Sequence, residues 1–124
     1  MKTVVIVDDQ YTTRLILTEV VNNIKLNEPI KVKTFPRADD ALGWLELNDV
    51  DLLLIDYMMD GMSGHEMLKN LKANRKFDRL PIIAMSSDND VCVRYQFLED
   101  GVTDFFLKPL DYHECMLRCR NLLD

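Results

Sequence analysis

Five polar residues of the 124-residue chain have types and positions that suit phosphoryl chemistry. They are three carboxylates, a hydroxyl and an amine, at Asp8, Asp9, Asp56, Ser86 and Lys108. Carboxylates that share one place repel each other, and a hard divalent cation such as Mg²⁺ is the natural way to keep them ionised. Mg²⁺ prefers one or two carboxylates together with phosphate oxygens. A carboxylate such as Asp56 can attack phosphorus, and Lys108 and Ser86 can then contact the phosphoryl oxygens.

Each of these residues also has a purely structural explanation when it is taken alone. Asp or Ser after a strand commonly caps a helix or forms a turn. Such caps give no reason for a lysine at the same edge. The five residues therefore predict a common site, provided that the fold brings the ends of their strands together.

The elements that must position these residues alternate along the chain. Apolar or β-branched runs predict five strands, at residues 3–7, 31–35, 51–55, 82–85 and 105–107. Helical spacing predicts a helix after each strand: one with Ile16, Val20 and Ile24 on its inner face, then 38–47, 66–73 and about 90–100, and one that begins at Asp111. Gly101 suits the position just past a helix end, and Glu114 stands at capping-box distance from Asp111.

Apolar strands that are joined by single helices predict a parallel sheet covered on both faces, which is a three-layer α/β sandwich. The length suits one domain over residues 1–124. In such sheets ligands bind beyond the carboxyl ends of the strands. All five polar residues fall at those ends.

Composition excludes several classes of protein. The net charge of −6 and the pI near 4.8 oppose binding to nucleic acid. No apolar run approaches the ~20 residues that span a bilayer, and the N-terminus lacks a secretory pattern, so we expect a cytoplasmic protein. Three cysteines are an odd number and favour reduced thiols. A zinc site at Cys115, Cys119 and His113 would lack a fourth ligand and is disfavoured.

Four motifs resemble the receiver domains of bacterial response regulators: "IVDD" ending at Asp9, "LLLIDYMMDGMSG" around Asp56, "PIIAMSS" around Ser86 and "GVTDFFLKPL" around Lys108. The resemblance covers the whole chain. Ser86 follows Asp56 by 30 residues and Lys108 follows Ser86 by 22, which is typical of the family. The resemblance implies a flavodoxin-like (βα)5 fold with the parallel strand order 2-1-3-4-5.

The resemblance also implies roles for individual residues. Asp56 is expected to accept a phosphoryl group from a sensor histidine kinase or a phosphotransfer protein. Asp8, Asp9 and Asp56 are expected to hold Mg²⁺ together with the backbone carbonyl of Met58. Ser86 and Lys108 would contact the phosphoryl group, and the aromatic ring of Phe105 would turn inward with Ser86. A permanently buried core ring is the alternative for Phe105. The peptide bond before Pro109 is often cis in this family.

Three positions depart from the family pattern. Asp60 and Gly61 stand where the family usually has proline four residues after the acceptor, which affects the turn and the charge near the metal. Ser87 replaces a smaller alanine or glycine. Met58 and Asp88 occupy positions that tune the hydrolytic water in the family, so they bear on the lifetime of the phosphoryl group.

The resemblance implies a regulatory phosphoacceptor and not an enzyme, with self-catalysed phosphoryl transfer and slow autodephosphorylation only. The output surface is expected on the fourth helix, fifth strand and fifth helix. Asp104 and Arg118 match positions that pair across phosphorylation-driven dimers in one branch, or they are solvated surface charges. The chain is either a stand-alone regulator or a fragment with an effector domain beyond residue 124. It is similar to receivers that precede HD-GYP cyclic di-GMP phosphodiesterase domains.

Two other functions compete with this interpretation. A haloacid-dehalogenase-type phosphatase also uses Asp, Mg²⁺, a hydroxyl and Lys. It places its nucleophile in a D-x-D motif after the first strand, however, whereas the acidic pair comes first here and "DYMMD" has no such motif. A receiver-like module that binds proteins without phosphorylation is the second alternative, although all five expected site residues are present.

Overall fold

The computed structural model describes residues 1–88 and 91–124. Within these ranges the strands and helices alternate as the sequence predicts. The strands are β1 (Lys2–Val7), β2 (Ile30–Phe35), β3 (Leu52–Asp56), β4 (Ile82–Ser86) and β5 (Asp104–Leu107). The helices are α1 (Tyr11–Asn22), α2 (Ala38–Leu47), α3 (Gly64–Lys72), α4 (Val91–Glu99) and α5 (Tyr112–Leu123), with an unpredicted 3-10 turn at Arg75–Phe77.

The strands form one parallel sheet in the order β2-β1-β3-β4-β5, which confirms the predicted flavodoxin-like topology. Val7 lies opposite Ile55 in the register of β1 and β3, and Ser86 lies opposite Leu107 in β4 and β5. The carboxyl ends of these four strands therefore share one edge. Asp8 follows Val7 and Lys108 follows Leu107. Both therefore leave the sheet at the edge where β3 and β4 end.

The sheet separates two apolar layers. Alternate β3 residues point to opposite faces: Leu53 and Ile55 pack with α2, α3 and α4, whereas Leu52 and Leu54 pack with α1 and α5. All of β3 is buried, as expected for a central strand with both faces covered. This burial fixes the backbone that carries Asp56.

The inner face of α1 differs from the predicted one. Ile16 is 44% exposed, and Leu17, Val20 and Val21 are the buried apolar residues of this helix. Ile24 is buried but lies beyond the end of α1. The prediction for Ile16 was wrong because Leu15, Ile16 and Leu17 are all apolar, so spacing alone does not fix which of them faces the sheet.

Helix ends follow the predicted chemistry. Gly101 adopts a φ of +69° after α4, and Asp111 caps α5 by accepting the Glu114 backbone N–H at 2.9 Å. The start predicted for the fourth helix, at Asp90, lies outside the described residues.

Cys115 and Cys119 are buried thiols of α5, and Cys92 is exposed. Among the described residues, no helix has the length and apolar character needed to cross a bilayer.

Candidate functional site

Three carboxylates meet at the carboxyl ends of β1 and β3. Asp8 and Asp9 follow β1 directly, and Asp56 is the last residue of β3. One carboxylate oxygen from each lies within 4.8 Å of the others. Asp8 and Asp56 are buried, whereas Asp9 is exposed and opens the group to solvent. The structure thus brings together the three acidic residues that the sequence predicts.

The ammonium group of Lys108 reaches into this group from the end of β5. Its Nζ donates to Asp8 Oδ2 at 2.9 Å and to Asp56 Oδ2 at 3.3 Å. It also donates to the side-chain oxygen of Gln10 at 3.3 Å. The Lys108 side chain is only 14% exposed, so water screens these contacts weakly. Gln10 was not predicted as a site residue, and only the folded chain brings it to Lys108.

The pKa shifts of Asp56 and Lys108 indicate that the site holds more negative than positive charge. Burial and the nearby Asp8 carboxylate raise the pKa of Asp56, despite the opposing contacts with the Met58 N–H and Lys108. Burial alone would lower the pKa of Lys108. The hydrogen bonds and charges of Asp8 and Asp56 have a larger opposite effect, so the pKa of Lys108 is raised overall. Lys108 therefore stays protonated without fully compensating the acidic residues. This oxygen donor set, with its excess negative charge, fits a hard divalent cation.

The backbone around the acceptor is held by close packing. The Met58 N–H donates to Asp56 Oδ1 at 3.1 Å, and the Gly64 N–H donates to the Tyr57 carbonyl at 3.2 Å. A Cβ on Gly64 would overlap the Asp56 carbonyl oxygen and come within 2.8 Å of the Tyr57 Cα. Only glycine allows α3 to begin this close to the acceptor strand. Ser63 caps α3 by accepting the Glu66 N–H at 3.2 Å.

Asp60, which replaces the usual proline, contacts the acidic group through its backbone. The Asp60 N–H donates to Asp9 Oδ2 at 3.4 Å. A proline at this position would have no N–H to donate. The departure from the family pattern therefore adds one hydrogen bond to the exposed carboxylate of the site. Gly61 follows with a φ of +78°, a conformation that glycine adopts without steric cost.

Ser86 is the last residue of β4, and Phe105 is the second residue of β5. The Ser86 side chain is buried, and its Oγ accepts the Asp88 N–H at 3.0 Å. Phe105 is partly exposed, its ring lies 5.4 Å from that of Phe97, and the Arg94 guanidinium lies 5.9 Å from its centroid. The fully buried ring of β5 is that of Phe106. Phe105 is thus not a permanently buried core ring.

Asp104 and Arg118 pair within one chain. Arg118 Nη1 lies 2.6 Å from Asp104 Oδ1, and its Nε lies 3.0 Å from Glu114 Oε1. The peptide bond between Lys108 and Pro109 is cis, as the resemblance implied. The position of the Met58 carbonyl relative to a metal stays a prediction.

The fold and the site define a regulatory receiver domain, and the comparisons with known proteins agree. The family model of the response regulator receiver domain matches residues 4–120, so the chain belongs to this family. The cyclic di-GMP phosphodiesterase response regulator RpfG of Xanthomonas campestris is 42% identical over 97% of the chain and 31% of its own length. The two-component response regulator ARR3 of Arabidopsis thaliana is 33% identical over 86% of the chain and 49% of its own length.

Solved structures show the same fold. The chemotaxis response regulator CheY4 of Vibrio cholerae has a TM-score of 0.87 at 20% identity, and the alignment covers 99% of both chains. The beryllofluoride-activated DrrB receiver domain has a TM-score of 0.86 at 22% identity and covers 99% of this chain and 97% of its own. The chain spans between about a third and a half of the two curated relatives named above. The comparisons lend no support to the phosphatase or to a binding module without phosphorylation.

Proposed function

We propose that this receiver domain takes a phosphoryl group onto Asp56 in a Mg²⁺-dependent reaction with a histidine kinase or a phosphotransfer protein. The observation that carries the proposal is the contact of Lys108 with both Asp56 and Asp8 inside a group of three carboxylates. A lysine shared between two buried carboxylates places positive charge where phosphoryl oxygens would lie.

The transfer step balances as a displacement at phosphorus. A carboxylate oxygen of Asp56 forms the new bond to phosphorus, and the bond from phosphorus to the donor's histidine nitrogen breaks. That nitrogen keeps the electron pair and takes up a proton. Asp56 must be ionised to attack, and Lys108 favours the ionised form while the Met58 N–H orients one of its oxygens.

The metal would be held by Asp8, Asp9 and Asp56 with the Met58 carbonyl, as the resemblance implies. When bound, Mg²⁺ supplies positive charge that offsets the repulsion among the carboxylates and the phosphoryl oxygens. The Asp60 N–H restrains Asp9, the exposed member of this set. Asp60 and Ser87 add polar groups at the rim of the site, which affects metal and phosphoryl binding.

The proposed switch uses Ser86 and Phe105. Ser86 Oγ, which accepts the Asp88 N–H in this structure, donates its O–H to a phosphoryl oxygen, and Phe105 turns into the space that the serine leaves. This movement changes the face formed by α4, β5 and α5, which is the proposed output surface. Val91, Tyr95 and Leu98 are exposed apolar residues of α4 on which a partner can bury area.

The proposal extends to the setting of the whole protein. An effector domain beyond residue 124, as in a regulator of the RpfG type, would receive the output, and a phosphorylation-dependent homodimer is one form that it can take. We propose a cytoplasmic setting and no contact with nucleic acid by this domain. The chemistry of this domain alone is phosphoryl acceptance and slow autodephosphorylation.

The decisive experiment treats the protein with acetyl phosphate and Mg²⁺ and measures its intact mass. We expect a gain of one phosphoryl group that disappears with a chelator and in Asp56→Asn. Asp78→Asn, which makes the same change at an exposed aspartate, should keep the gain. A gain that persists in Asp56→Asn would assign the acceptor elsewhere.

A further inference from the structure

Asp100, which follows α4, is a buried carboxylate outside the acidic site and is only 9% exposed. Its Oδ2 accepts the phenol O–H of Tyr57 and lies 2.7 Å from His65 Nδ1. Its Oδ1 accepts the side-chain N–H of Gln96 at 3.1 Å. The partners therefore come from the end of β3, from α3 and from α4. Bonds from several donors to one buried carboxylate hold all of these groups in place.

Tyr57 connects this carboxylate with the acceptor, because it is the next residue after Asp56. Its ring packs edge-on against Phe97 with centroids 4.5 Å apart, and Phe97 in turn packs against Phe105. A continuous series of contacts thus runs from the acceptor strand to the partly exposed ring of β5. Burial and the Asp100 bond raise the pKa of Tyr57, so its phenol stays a neutral donor.

We propose that Asp100 is a positioning residue that ties the carboxyl end of α4 to the acceptor strand through Tyr57 and opposes the switch. This inference rests on the proposed function and adds a regulatory contact to it. An inward turn of Phe105 changes its contact with Phe97, which packs on the same Tyr57 ring that carries the O–H. The Tyr57–Asp100 bond stabilises the arrangement in which Phe105 stays partly exposed, so its strength sets part of the equilibrium between the two states.

The first test removes the phenol O–H and keeps the ring, in Tyr57→Phe. Beryllofluoride, a mimic of the phosphoryl group, is titrated at saturating Mg²⁺. Loss of a hydrogen bond to a buried charge should lower the half-maximal beryllofluoride concentration about tenfold, since the unswitched state loses stability. Tyr11→Phe removes an exposed phenol of α1 and should leave the titration unchanged.

Amide exchange shows whether the bond holds α4 in particular. In Tyr57→Phe without beryllofluoride, amides of α4 should exchange faster while those of α1 keep their wild-type rates. A general loss of stability would raise exchange in both helices and leave the beryllofluoride titration unshifted. That pattern would overturn the proposal and assign Tyr57 a structural role only.

The second test asks whether Tyr57 and Asp100 act through the same bond. Asp100→Asn should also tighten beryllofluoride binding, and the double variant should show less than the sum of the two single effects. Glu99→Gln makes the same change of charge at the exposed neighbouring residue and should have no effect. Strictly additive effects would show that the two residues act separately, and would overturn the proposed role of the Tyr57–Asp100 bond.

The outcomes separate this inference from the proposed function. If the wild-type protein gains no phosphoryl group from acetyl phosphate, the result contradicts both the proposed function and the proposed role of the Tyr57–Asp100 bond. If the wild-type protein is phosphorylated on Asp56 but Tyr57→Phe does not differ from it in titration or amide exchange, the result contradicts only the proposed role of the Tyr57–Asp100 bond.

Discussion

Lys108 lies closer to Asp8 than to the residue that it would help to phosphorylate: its Nζ is 2.9 Å from Asp8 Oδ2 and 3.3 Å from Asp56 Oδ2. Asp8 is fully buried, so this ion pair is poorly screened. Lys108 therefore holds the acidic group together as well as facing the acceptor.

Removing this ammonium should destabilise the domain most when no metal is bound. In Lys108→Met the buried carboxylates lose their cation, and the free energy of unfolding should fall by about 3 kcal/mol in chelator. Added Mg²⁺ should restore part of the loss, which urea unfolding with and without Mg²⁺ would measure. Lys69→Met, at an exposed lysine of α3, should show neither effect. An equal loss in chelator and in Mg²⁺ would contradict the explanation.

Asp56 should make stability depend on pH in the absence of metal. Its pKa in the folded domain is raised by burial and by Asp8, so the folded state binds more protons than the unfolded state above the ordinary carboxyl range. The contribution of Asp56 to stability should therefore be largest below that range and fall as the pH rises through the folded pKa. Asp56→Asn should lack this fall and be about 1 kcal/mol more stable at neutral pH in chelator, as measured by urea unfolding.

The burial of Asp100 implies the opposite dependence at lower pH. Burial raises its pKa, but the bonds from Tyr57, His65 and Gln96 outweigh it and the pKa is lowered. The stability that these bonds contribute is present above the ordinary carboxyl range and is lost as the pH falls through the folded pKa. Asp100→Asn should flatten the acid side of the stability profile. An acid side as steep as that of the wild type would show that Asp100 does not titrate as inferred.

Gly64 should be needed for the acceptor site to form. A methyl group there meets the Asp56 carbonyl oxygen and the Tyr57 Cα, so Gly64→Ala should cost about 2 kcal/mol of stability and slow phosphoryl acceptance. Gly43→Ala is the matched control, because nothing lies within 4 Å of its added Cβ on α2. That change should stabilise the helix by roughly 0.5 kcal/mol. Thermal unfolding and acetyl phosphate labelling would measure the pair.

Asp60 can be tested through its backbone. Asp60→Pro removes the N–H that Asp9 accepts, whereas Asp60→Ala keeps it. Loss of this bond frees Asp9 to move, so we expect Asp60→Pro to bind Mg²⁺ a few-fold more weakly than Asp60→Ala. Calorimetric titration with Mg²⁺ compares the two variants directly, and equal affinities would exclude a role for the N–H.

The three thiols should differ in reactivity. Burial raises the pKa of Cys115 and of Cys119 to about 12, whereas Cys92 is exposed. Only the thiolate reacts with alkylating reagents, so native protein should be modified at Cys92 alone and at all three after unfolding. Peptide mapping after iodoacetamide treatment would show this. Rapid native labelling of Cys119 would contradict the packing of α5.

The convergence of the three aspartates and Lys108 could be predicted because each ends a strand or directly follows one, and the carboxyl ends of parallel strands meet at one edge. Gln10 could not, since its contact with Lys108 depends on the direction of its side chain. Asp100 looked like the last residue of a helix, and its role arises only where α3, α4 and β3 meet. Ile16 shows the limit of periodicity, because a helix with consecutive apolar residues has no unique inner face until it packs.

Arg118 already has two carboxylate partners in its own chain, Asp104 and Glu114. Two copies of the domain could associate through the face formed by α4, β5 and α5. In such a dimer Arg118 exchanges one acidic neighbour for another, and its number of ion pairs need not rise. Charge would then select which copies match and in what register. The affinity of such an assembly would depend on the exposed Tyr95 and Leu98, which bury apolar area only when a second surface covers them.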